Sequence, residues 1–324
     1  MLREKHFKRI VHEVEWGILD GKYKVGDKIP SINFWRIKSG LSRSSVVLAM
    51  EELKSRGLIE SEQSVGYFVS STRVEVVHRF LLIFNEFNSF KQDLYNSIVV
   101  TLGPAAVVDV VFHNFNRQTF NMLLEREAGK YSVYVVMSGV FENTERQLRS
   151  LGGRVILVDS CQPHLKELFS SVTQDFEQDT YDALVSGLGH LKKYREIVFV
   201  QSSPKEPHSR YEGVERFCKE YGFDYGFLKT MAGLPIRPGV VYLTPEDREI
   251  VNIELSARKQ DLRCGEDYGL VCFNEEVMNE ILCGGLTAIS TDFVQMGRTV
   301  VDLVKNNEIQ AVRNPCRLIL RNSL

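Results

Sequence analysis

The stretch Leu41-Ser42-Arg43-Ser44-Ser45 joins a turn to a helix near the amino terminus. The helix that follows has four apolar residues at i, i+3, i+4 and i+7, which is the spacing of one buried helical face. These residues are Val46, Ala49, Met50 and Leu53. Gly57 suits the left-handed conformation that ends many helices, so we expect the helix to stop there.

The first turn of this helix is polar and cationic. Ser42 is a candidate N-cap, and the residues from Ser42 to Ser45 place hydroxyls, one guanidinium and unpaired backbone N–H groups together. Such a surface suits a phosphate backbone and base edges, with Arg43 as the reader of guanine. The alternative is an ordinary helix cap beside one exposed arginine.

The surrounding sequence favours the first interpretation. An amphipathic helix over 7–18 closes at Gly21, a basic turn over 22–30 follows, and a short helix over 32–38 ends at Gly40. Downstream of Gly57, residues 58–60 and 65–69 read as two strands of a hairpin. Three helices followed by a hairpin predict a winged helix-turn-helix over residues 1–70.

This region resembles the DNA-binding domain of the GntR family of bacterial transcription factors. The matching blocks are Gly26-Asp27, Ile29-Pro30-Ser31, Gly40-Leu41-Ser42-Arg43, Ser45-Val46, Gly57-Leu58-Ile59 and Gly66-Tyr67-Phe68-Val69. The resemblance implies that Ser31, Arg43, Ser44, Ser45 and the wing residue Gly66 approach DNA, and we add Ser42 as the cap among them. The expected partner is a double-stranded operator.

The charge distribution differs between the two parts of the chain. Residues 1–72 hold 12 Lys and Arg against 9 Asp and Glu, a net charge of +3, and the remaining residues hold 28 against 33, a net charge of −5. A net charge of +3 is modest, so we expect salt-sensitive DNA binding that needs two copies of the chain. This predicts a homodimer.

The cysteines and the amino-terminal residues indicate the cellular compartment. The six cysteines show no C-x-x-C pairing and no histidine at ligand spacing, so we expect reduced thiols, no metal and a cytoplasmic protein. The amino terminus lacks the apolar core of a signal peptide, and no apolar run approaches the ~18 residues of a membrane span. We expect no membrane association and no cofactor.

Beyond a linker over 71–77, apolar segments of strand length alternate with helical segments. Strands are predicted over 80–84, 107–112, 131–137, 155–158, 197–201, 240–243 and 270–273. We expect a loop after 158 and a helix over 275–282. Strands with little polar alternation indicate parallel sheets covered on both faces, and their number favours two lobes over one. The fold class is therefore α/β, with residues 78–324 forming a two-lobed effector domain of Rossmann-like parallel sheets.

Ligands of open parallel sheets bind at the carboxyl ends of the strands, so polar residues directly after strands are candidates. They are Asn85, Glu86, Ser138, Asp159, Ser202, Ser203, Asp247 and Asn274. Between two lobes these ends are expected to face a common cleft.

The carboxyl-terminal half resembles LacI-type regulators with a periplasmic-binding-protein fold. The resemblance rests on 286–297, on 263–275, on Arg210 with Gly213, and on Gly189-His190. The whole chain is similar to arabinose-repressor-like GntR/LacI chimeras. The resemblance implies effector contacts, which are Asp159, Arg210, Asp247, Asn274, Thr291 and Phe293. A monosaccharide suits them, because carboxylates and guanidinium groups bind vicinal hydroxyls and a ring packs on sugar C–H groups.

Three of these residues have structural alternatives. Asp247 follows Thr244-Pro245-Glu246 at a helix start and could serve as a cap. Asp159 could end its strand in an Asx turn, and Arg210 could pair with a neighbouring glutamate at the surface.

The sequence predicts a sugar-controlled transcriptional repressor without catalytic residues. One alternative is a doubly wound α/β transferase or hydrolase with a DNA-binding appendage, but G-x-S-x-G, phosphate-loop and dinucleotide motifs are absent from the sequence. A GntR protein with another effector half is the second alternative. All-helical acid-binding domains conflict with the strand-rich pattern, and aminotransferase-like domains need a longer chain.

Overall fold

A computed structural model describes residues 3–62, 65–71, 78–103, 106–306 and 308–324. Its α-helices are α1 (Arg3–Leu19), α2 (Ile32–Ser39), α3 (Arg43–Ser55), α4 (Ser89–Leu102), α5 (Arg117–Glu127), α6 (Glu145–Arg149), α7 (Phe176–Ser186), α8 (Leu188–Leu191), α9 (Ser209–Tyr221), α10 (Asp247–Arg258) and α11 (Phe293–Lys305). Its strands are β1 (Ile59–Glu62), β2 (Gly66–Val69), β3 (His78–Phe84), β4 (Ala106–Phe112), β5 (Val133–Val136), β6 (Arg154–Asp159), β7 (Ser170–Thr173), β8 (Glu196–Val200), β9 (Asp224–Leu228), β10 (Val240–Thr244), β11 (Gly269–Phe273), β12 (Thr287–Thr291), β13 (Ala311–Arg313) and β14 (Cys316–Ile319).

The amino-terminal residues form the three helices and the hairpin that the sequence predicts. The predicted apolar face of α3 is fully buried, together with Ile10, Val11 and Val14 of α1 and Trp35 of α2. Strands β1 and β2 pair antiparallel, with Ile59 opposite Val69 and Glu62 opposite Gly66. Gly57 has a φ of 68°, the left-handed conformation expected at the end of α3. Of the predicted linker, residues 72–77 lie outside the described residues.

The chain divides into two compact units. Unit 1 comprises Met1–Phe87, Tyr95–Thr173 and Met296–Val312, and unit 2 comprises Asn88–Leu94, Gln174–Gln295 and Arg313–Leu324. One sheet has the strand order β13-β7-β6-β5-β3-β4, and the pairs among β3 to β7 are parallel. The other has the order β14-β12-β11-β10-β8-β9 and is parallel except for the antiparallel pair β12–β14. The predicted α/β class with two Rossmann-like sheets is confirmed.

Helices α4 and α11 approach each other closely within unit 1. A Cβ atom added to Gly297 of α11 would lie 2.6 Å from both Cβ and Oγ of Ser97 on α4. Only a glycine at 297 permits this separation, because any side chain would overlap the facing helix. Ser97 is itself buried.

Two elements differ from the sequence predictions. The segment 275–282 is not an α-helix but contains the short 3₁₀ helices Val277–Glu280 and Leu282–Gly284. Its apolar residues Val277, Met278 and Ile281 point to solvent, so the spacing that predicted a helix has no core to face. The segment after β6 contains the 3₁₀ helix Pro163–Glu167 and the buried strand β7, where we expected a loop.

Candidate DNA-binding surface and effector residues

The start of α3 is organised by the hydroxyl of Ser42. Ser42 is the N-cap, and its Oγ accepts a hydrogen bond from the backbone N–H of Ser45 at 3.3 Å. The same oxygen lies 2.9 Å from Oγ of Ser44 and 2.9 Å from Oγ of Ser45. The serine cluster therefore fixes the first turn, and the side chains of Arg43 and Ser44 are left exposed beside it.

A buried carboxylate anchors the other end of α3. Glu15 of α1 has a fully buried side chain, and it accepts a hydrogen bond from Nη1 of Arg56 at 2.8 Å. Arg56 also pairs with Glu52, and Nδ1 of His12 lies 3.3 Å from Glu15. These contacts join α1 to the end of α3, so the orientation of α3 depends on both its apolar face and this ion pair.

Backbone hydrogen bonds attach the turn before α2 to the hairpin. The backbone N–H of Gly26 donates to the carbonyl of Val69 at 2.8 Å, and that of Ile29 donates to Tyr67 at 2.8 Å. A carboxylate oxygen of Asp27 accepts from the backbone N–H of Lys24 at 2.7 Å and closes the turn. This explains why a glycine and an aspartate stand together here, since Gly26 has a φ of 88° and Asp27 caps the bend.

The remaining predicted DNA contacts lie at the start of α2 and on the hairpin. Ser31 is the N-cap of α2, and its exposed Oγ accepts from the backbone N–H of Phe34 at 3.2 Å. Gly66 has a φ of 143°, and a Cβ there would lie 3.0 Å from Cε of Lys28. The hairpin tip, residues 63–64, lies outside the described residues.

The six predicted DNA contacts therefore differ in exposure. Ser31, Ser42, Arg43 and Ser44 are exposed and Gly66 is partly exposed. Ser45 is only 7% exposed and its hydroxyl faces Ser42, so its role in the structure is to hold the cap. The sequence placed all three serines together but did not distinguish this buried serine from its exposed neighbours.

Arg210 of α9 is a buried cation within unit 2. Its guanidinium carbon lies 4.6 Å from the ring centroid of Phe273 and 5.2 Å from that of Phe176, so it is enclosed by two aromatic rings. Nη1 donates to a carboxylate oxygen of Glu206. The pairing with a nearby glutamate that we considered is present, but the side chain of Arg210 is 7% exposed and does not lie at the surface.

Thr291 ends β12 and Phe293 begins α11. Thr291 is buried, and its Oγ1 donates a hydrogen bond to Oε1 of Gln174 at 2.5 Å. The ring of Phe293 stacks on that of Phe90, with 5.1 Å between centroids and 27° between planes. Neither Gln174 nor Phe90 was predicted as a site residue, because their partners lie more than 100 positions away in the sequence.

Asp247 is the first residue of α10, and the cap position belongs to Glu246. Although the side chain of Asp247 reaches solvent, crowding by protein atoms raises the pKa of its carboxyl, and the negative charge of Glu276 raises it further. Glu246 accepts hydrogen bonds from the backbone N–H groups of Ser202 at 2.5 Å and Ser203 at 2.8 Å. The sequence identified the two serines after β8 but missed the carboxylate that they bind.

Two predicted residues adopt left-handed backbone conformations at strand ends. Asn274 follows β11 with a φ of 66°, and its N–H donates to the carbonyl of Ile289 at 2.8 Å. Asp159 ends β6 in unit 1 with a φ of 71°. Such conformations are uncommon for residues other than glycine and concentrate at functional sites.

Three predicted residues of unit 2 follow adjacent parallel strands. Asp247 lies beyond β10, Asn274 directly follows β11, and Thr291 ends β12. Strands β10, β11 and β12 are neighbours in the order given above. Their carboxyl ends therefore meet at one edge of the sheet, where open parallel sheets bind ligands.

The described residues also contain one group of potential metal ligands in unit 2, formed by Glu254, Cys264 and Cys283. None of the helices in the described part of the chain combines the length and apolar character that a membrane crossing requires.

Comparison with known proteins agrees with both parts of this architecture. The family described as "Bacterial regulatory proteins, gntR family" matches residues 7–69. No curated protein sequence matches the chain.

Solved structures are similar to the rest of the chain. A LacI family transcriptional regulator from Silicibacter pomeroyi has a TM-score of 0.63 at 15% identity, over 76% of this chain and 98% of that one. A LacI family regulator from Enterococcus faecium, with bound ribose, has a TM-score of 0.61 at 17% identity, over 76% and 98%. One from Arthrobacter sp. FB24, in complex with lactose, has a TM-score of 0.60 at 15% identity, over 76% and 99%.

Residues 7–69 combine a winged helix-turn-helix with the match to the gntR family of bacterial regulatory proteins. The solved structures share the fold of the rest of the chain, which is the fold of LacI-type regulators and periplasmic binding proteins. The predicted combination of a GntR-type amino-terminal region with the LacI and periplasmic-binding-protein fold is confirmed.

Proposed function

We propose that this chain is a cytoplasmic transcriptional repressor that binds a palindromic operator as a homodimer. A monosaccharide bound by residues 78–324 controls its affinity for DNA, and the chain has no catalytic role. Residues 1–70 form the DNA-binding domain and 71–77 the linker in this proposal.

The first turn of α3 supports the DNA-binding part. The exposed guanidinium of Arg43 stands beside the exposed hydroxyls of Ser42 and Ser44, and Ser31 exposes a second helix start. Helix starts and hydroxyls bind phosphate oxygens, and an arginine side chain can pair with guanine in the major groove. We assign Arg43 to base recognition, the exposed serines and Gly66 to backbone contacts, and Ser45 to support of the cap.

The observation that carries the effector assignment is the common edge of β10, β11 and β12 in unit 2. At this edge, polar residues lie at the ends of three neighbouring strands. The aromatic ring of Phe273, which ends β11, and the guanidinium of Arg210 lie beside them. Carboxylates, an enclosed guanidinium and aromatic rings are the groups that bind sugar hydroxyls and C–H faces. The bound ribose and lactose of the similar structures are consistent with this ligand class. Asp159, at the end of β6, remains a predicted effector contact that the resemblance implies.

The regulation that we propose is a coupling between two binding equilibria. A ligand changes operator occupancy only through its different affinity for the DNA-binding and the released states. Couplings of about 1–3 kcal/mol correspond to changes of about 5–150-fold in operator affinity.

Two measurements on the full chain test the proposal. Selection from random duplex DNA should recover a two-fold symmetric sequence, and a thermal-shift screen should find stabilisation by at least one pentose, deoxyhexose or hexose. The stabilising sugar should then change the affinity for the selected DNA. Binding to no duplex would contradict the DNA-binding assignment, stabilisation by no sugar would contradict the ligand class, and turnover of a sugar would favour the enzyme alternative.

A further inference from the structure

Two thiols and a carboxylate from separate segments of unit 2 converge on one point. The ligand atoms of Glu254, Cys264 and Cys283 all lie within 4.8 Å of one another. Glu254 belongs to α10, Cys264 to the segment between α10 and β11, and Cys283 to the turn before β12. All three side chains are partly buried, so this is an enclosed group and not an exposed acidic patch.

The surroundings of the three groups fix their positions. The hydroxyl of the buried Tyr268 donates a hydrogen bond to Oε1 of Glu254, and Sγ of Cys264 lies 3.9 Å from the carbonyl oxygen of Ser323. Cys283 has a φ of 54°, an unusual conformation for a residue with a side chain, which turns its backbone at this point. Cys264 and Cys283 also pack against the apolar core formed by β10, β11 and α10.

We infer that Glu254, Cys264 and Cys283 form a binding site for a thiophilic divalent cation, with Zn²⁺ as the ion that fits best. Zinc binds thiolate sulfur at about 2.3 Å and carboxylate oxygen at about 2.0–2.2 Å, so tetrahedral ligand atoms lie about 3.5–3.8 Å apart. Since the three ligand atoms lie within 4.8 Å of one another, each pair needs to approach by about 1 Å at most to reach these values. A water molecule completes the four ligands.

The chemistry of the ligand set selects the class of metal. Thiolates favour zinc and other soft or borderline cations, whereas Mg²⁺ and Ca²⁺ require oxygen ligands. The cysteines bind as thiolates, and each releases its proton to solvent when the metal enters. Tyr268 supports the site by orienting the Glu254 carboxylate.

Such a site would join three chain segments that surround one part of the unit 2 core. It lies outside the set of residues that we assign to DNA or to the sugar. Its presence therefore does not depend on the proposed regulatory function, and it can be tested without DNA.

The test uses the full chain, purified under a thiol-free reductant and freed of metal by chelator. After incubation with Zn²⁺ and gel filtration, we expect one zinc per chain by mass spectrometry. Substitution with Co²⁺ should give a sulfur-to-cobalt charge-transfer band and the visible bands of tetrahedral cobalt. The cobalt spectrum of the unaltered chain reports thiolate ligation directly, so this part needs no variant.

Variants assign the ligands. We expect Cys264→Ser, Cys283→Ser and Glu254→Gln each to weaken zinc binding about 10-fold or more in competition with a chromophoric chelator, and Tyr268→Phe to weaken it about 10-fold. Cys161→Ser is the matched control, because Cys161 is a partly buried thiol of unit 1. It should leave zinc binding unchanged. Circular dichroism compares the folding of all variants.

Three results would overturn the assignment. They are the absence of bound zinc in the reduced chain, a cobalt spectrum without a sulfur charge-transfer band, and equal zinc binding by the Cys264→Ser and Cys161→Ser variants. If Cys264 and Cys283 form a disulfide, and the chain binds no zinc after this disulfide is reduced, the two thiols serve a redox role instead.

Discussion

At the scale of single residues, the proposed DNA-binding surface depends on the hydrogen bonds that Ser42 makes with its neighbours in the first turn of α3. The Ser42 hydroxyl binds the Ser45 N–H and faces two other hydroxyls, and this arrangement directs Arg43 outward from the first turn of α3. A guanidinium held at a fixed helix start can read one base pair, whereas a freely moving one contributes mainly charge.

Replacement of Arg43 tests this role. We expect Arg43→Ala to weaken binding to the selected duplex and to relax the preference at one base pair by about 1–3 kcal/mol, because the base-edge hydrogen bonds are lost. Fluorescence anisotropy with single-position variants of the duplex measures the effect. Lys54→Ala, at the exposed far end of the same helix, should leave base preference unchanged. An unchanged preference in Arg43→Ala would remove the assignment.

Asp247 offers a test with opposite effects on stability and on ligand binding. Its carboxyl pKa is raised above 3.8 by crowding and by Glu276, so its ionised form opposes folding. The free energy of unfolding therefore falls as the pH rises and the Asp247 carboxyl loses its proton. Asp247→Asn should remove this decrease, because an amide does not ionise. We expect a higher melting temperature for the ligand-free variant near pH 7 and a flatter profile between about pH 4 and 7.

The same variant should lose the thermal stabilisation by sugar, because an amide replaces the charged acceptor of the sugar hydroxyls. Its affinity for DNA should not change. Retained stabilisation by sugar would show that Asp247 serves only the start of α10.

A local sequence pattern marks where a residue lies in its helix or strand, but it does not show the residue's distant partners. Ser42 could be placed at a helix start and Asn274 directly after a strand in this way. Glu246 was missed because its partners Ser202 and Ser203 lie more than 40 positions away, and the sequence does not show which glutamate two serines bind.

At the scale of elements, the buried packing of α3 comes from one apolar face. We expect Leu53→Ala to lower the free energy of unfolding by about 2–5 kcal/mol, since Leu53 is fully buried and its removal leaves a cavity. Chemical denaturation followed by circular dichroism measures this change. Leu48→Ala is the matched control on the same helix, because Leu48 is 52% exposed, and it should change stability by less than about 0.5 kcal/mol. Equal losses in the two variants would contradict the packing described here.

Strands with a continuous apolar run were predicted, whereas β7 and β9, which lack such a run, were not. The apolar strands β3, β10 and β11 stand close to their predicted ranges. Strand β7 was not predicted because Ser170 and Ser171 are polar although they are buried. Strand β9 was not predicted because it is a short edge strand that contains a glycine. The segment 275–282 has helical spacing, but its apolar residues face solvent and Cys283 turns the chain.

At the scale of the whole molecule, the modest charge of the amino-terminal region bears on how DNA is bound. With a net charge of only +3 in residues 1–72, one copy makes few phosphate contacts. We expect a duplex with both half-sites to bind far more tightly than one half-site. The slope of log affinity against log salt concentration should be about twice as steep for the full site. Equal slopes would contradict binding as a homodimer.

A further prediction concerns the coupling between ligand and DNA. A sugar found by thermal shift should change operator affinity by about 5–150-fold, measured by anisotropy with and without saturating sugar. Linkage requires that operator DNA change the affinity for the sugar by the same factor. Unequal factors would show that the two measurements report different states.

The order of a winged helix-turn-helix followed by an α/β region could be predicted because the hydrophobic pattern changes after residue 70. Parallel sheets with buried strands leave a clear apolar signature, and the GntR blocks are local motifs with fixed spacing. Phe90 and Gln174 could not be identified as neighbours of the predicted residues Phe293 and Thr291, because only packing brings them together across more than 100 positions of sequence.

The close approach at Gly297 constrains how this chain can diverge. Since a Cβ at this position would overlap Ser97, the two sites should show epistasis. Gly297→Ala alone should impair repression of a reporter gene, and a second-site suppressor should appear as Ser97→Gly, which frees the space that the new methyl group needs. Related repressors should therefore exchange residues at these two positions together, so that the combined volume of the pair stays small.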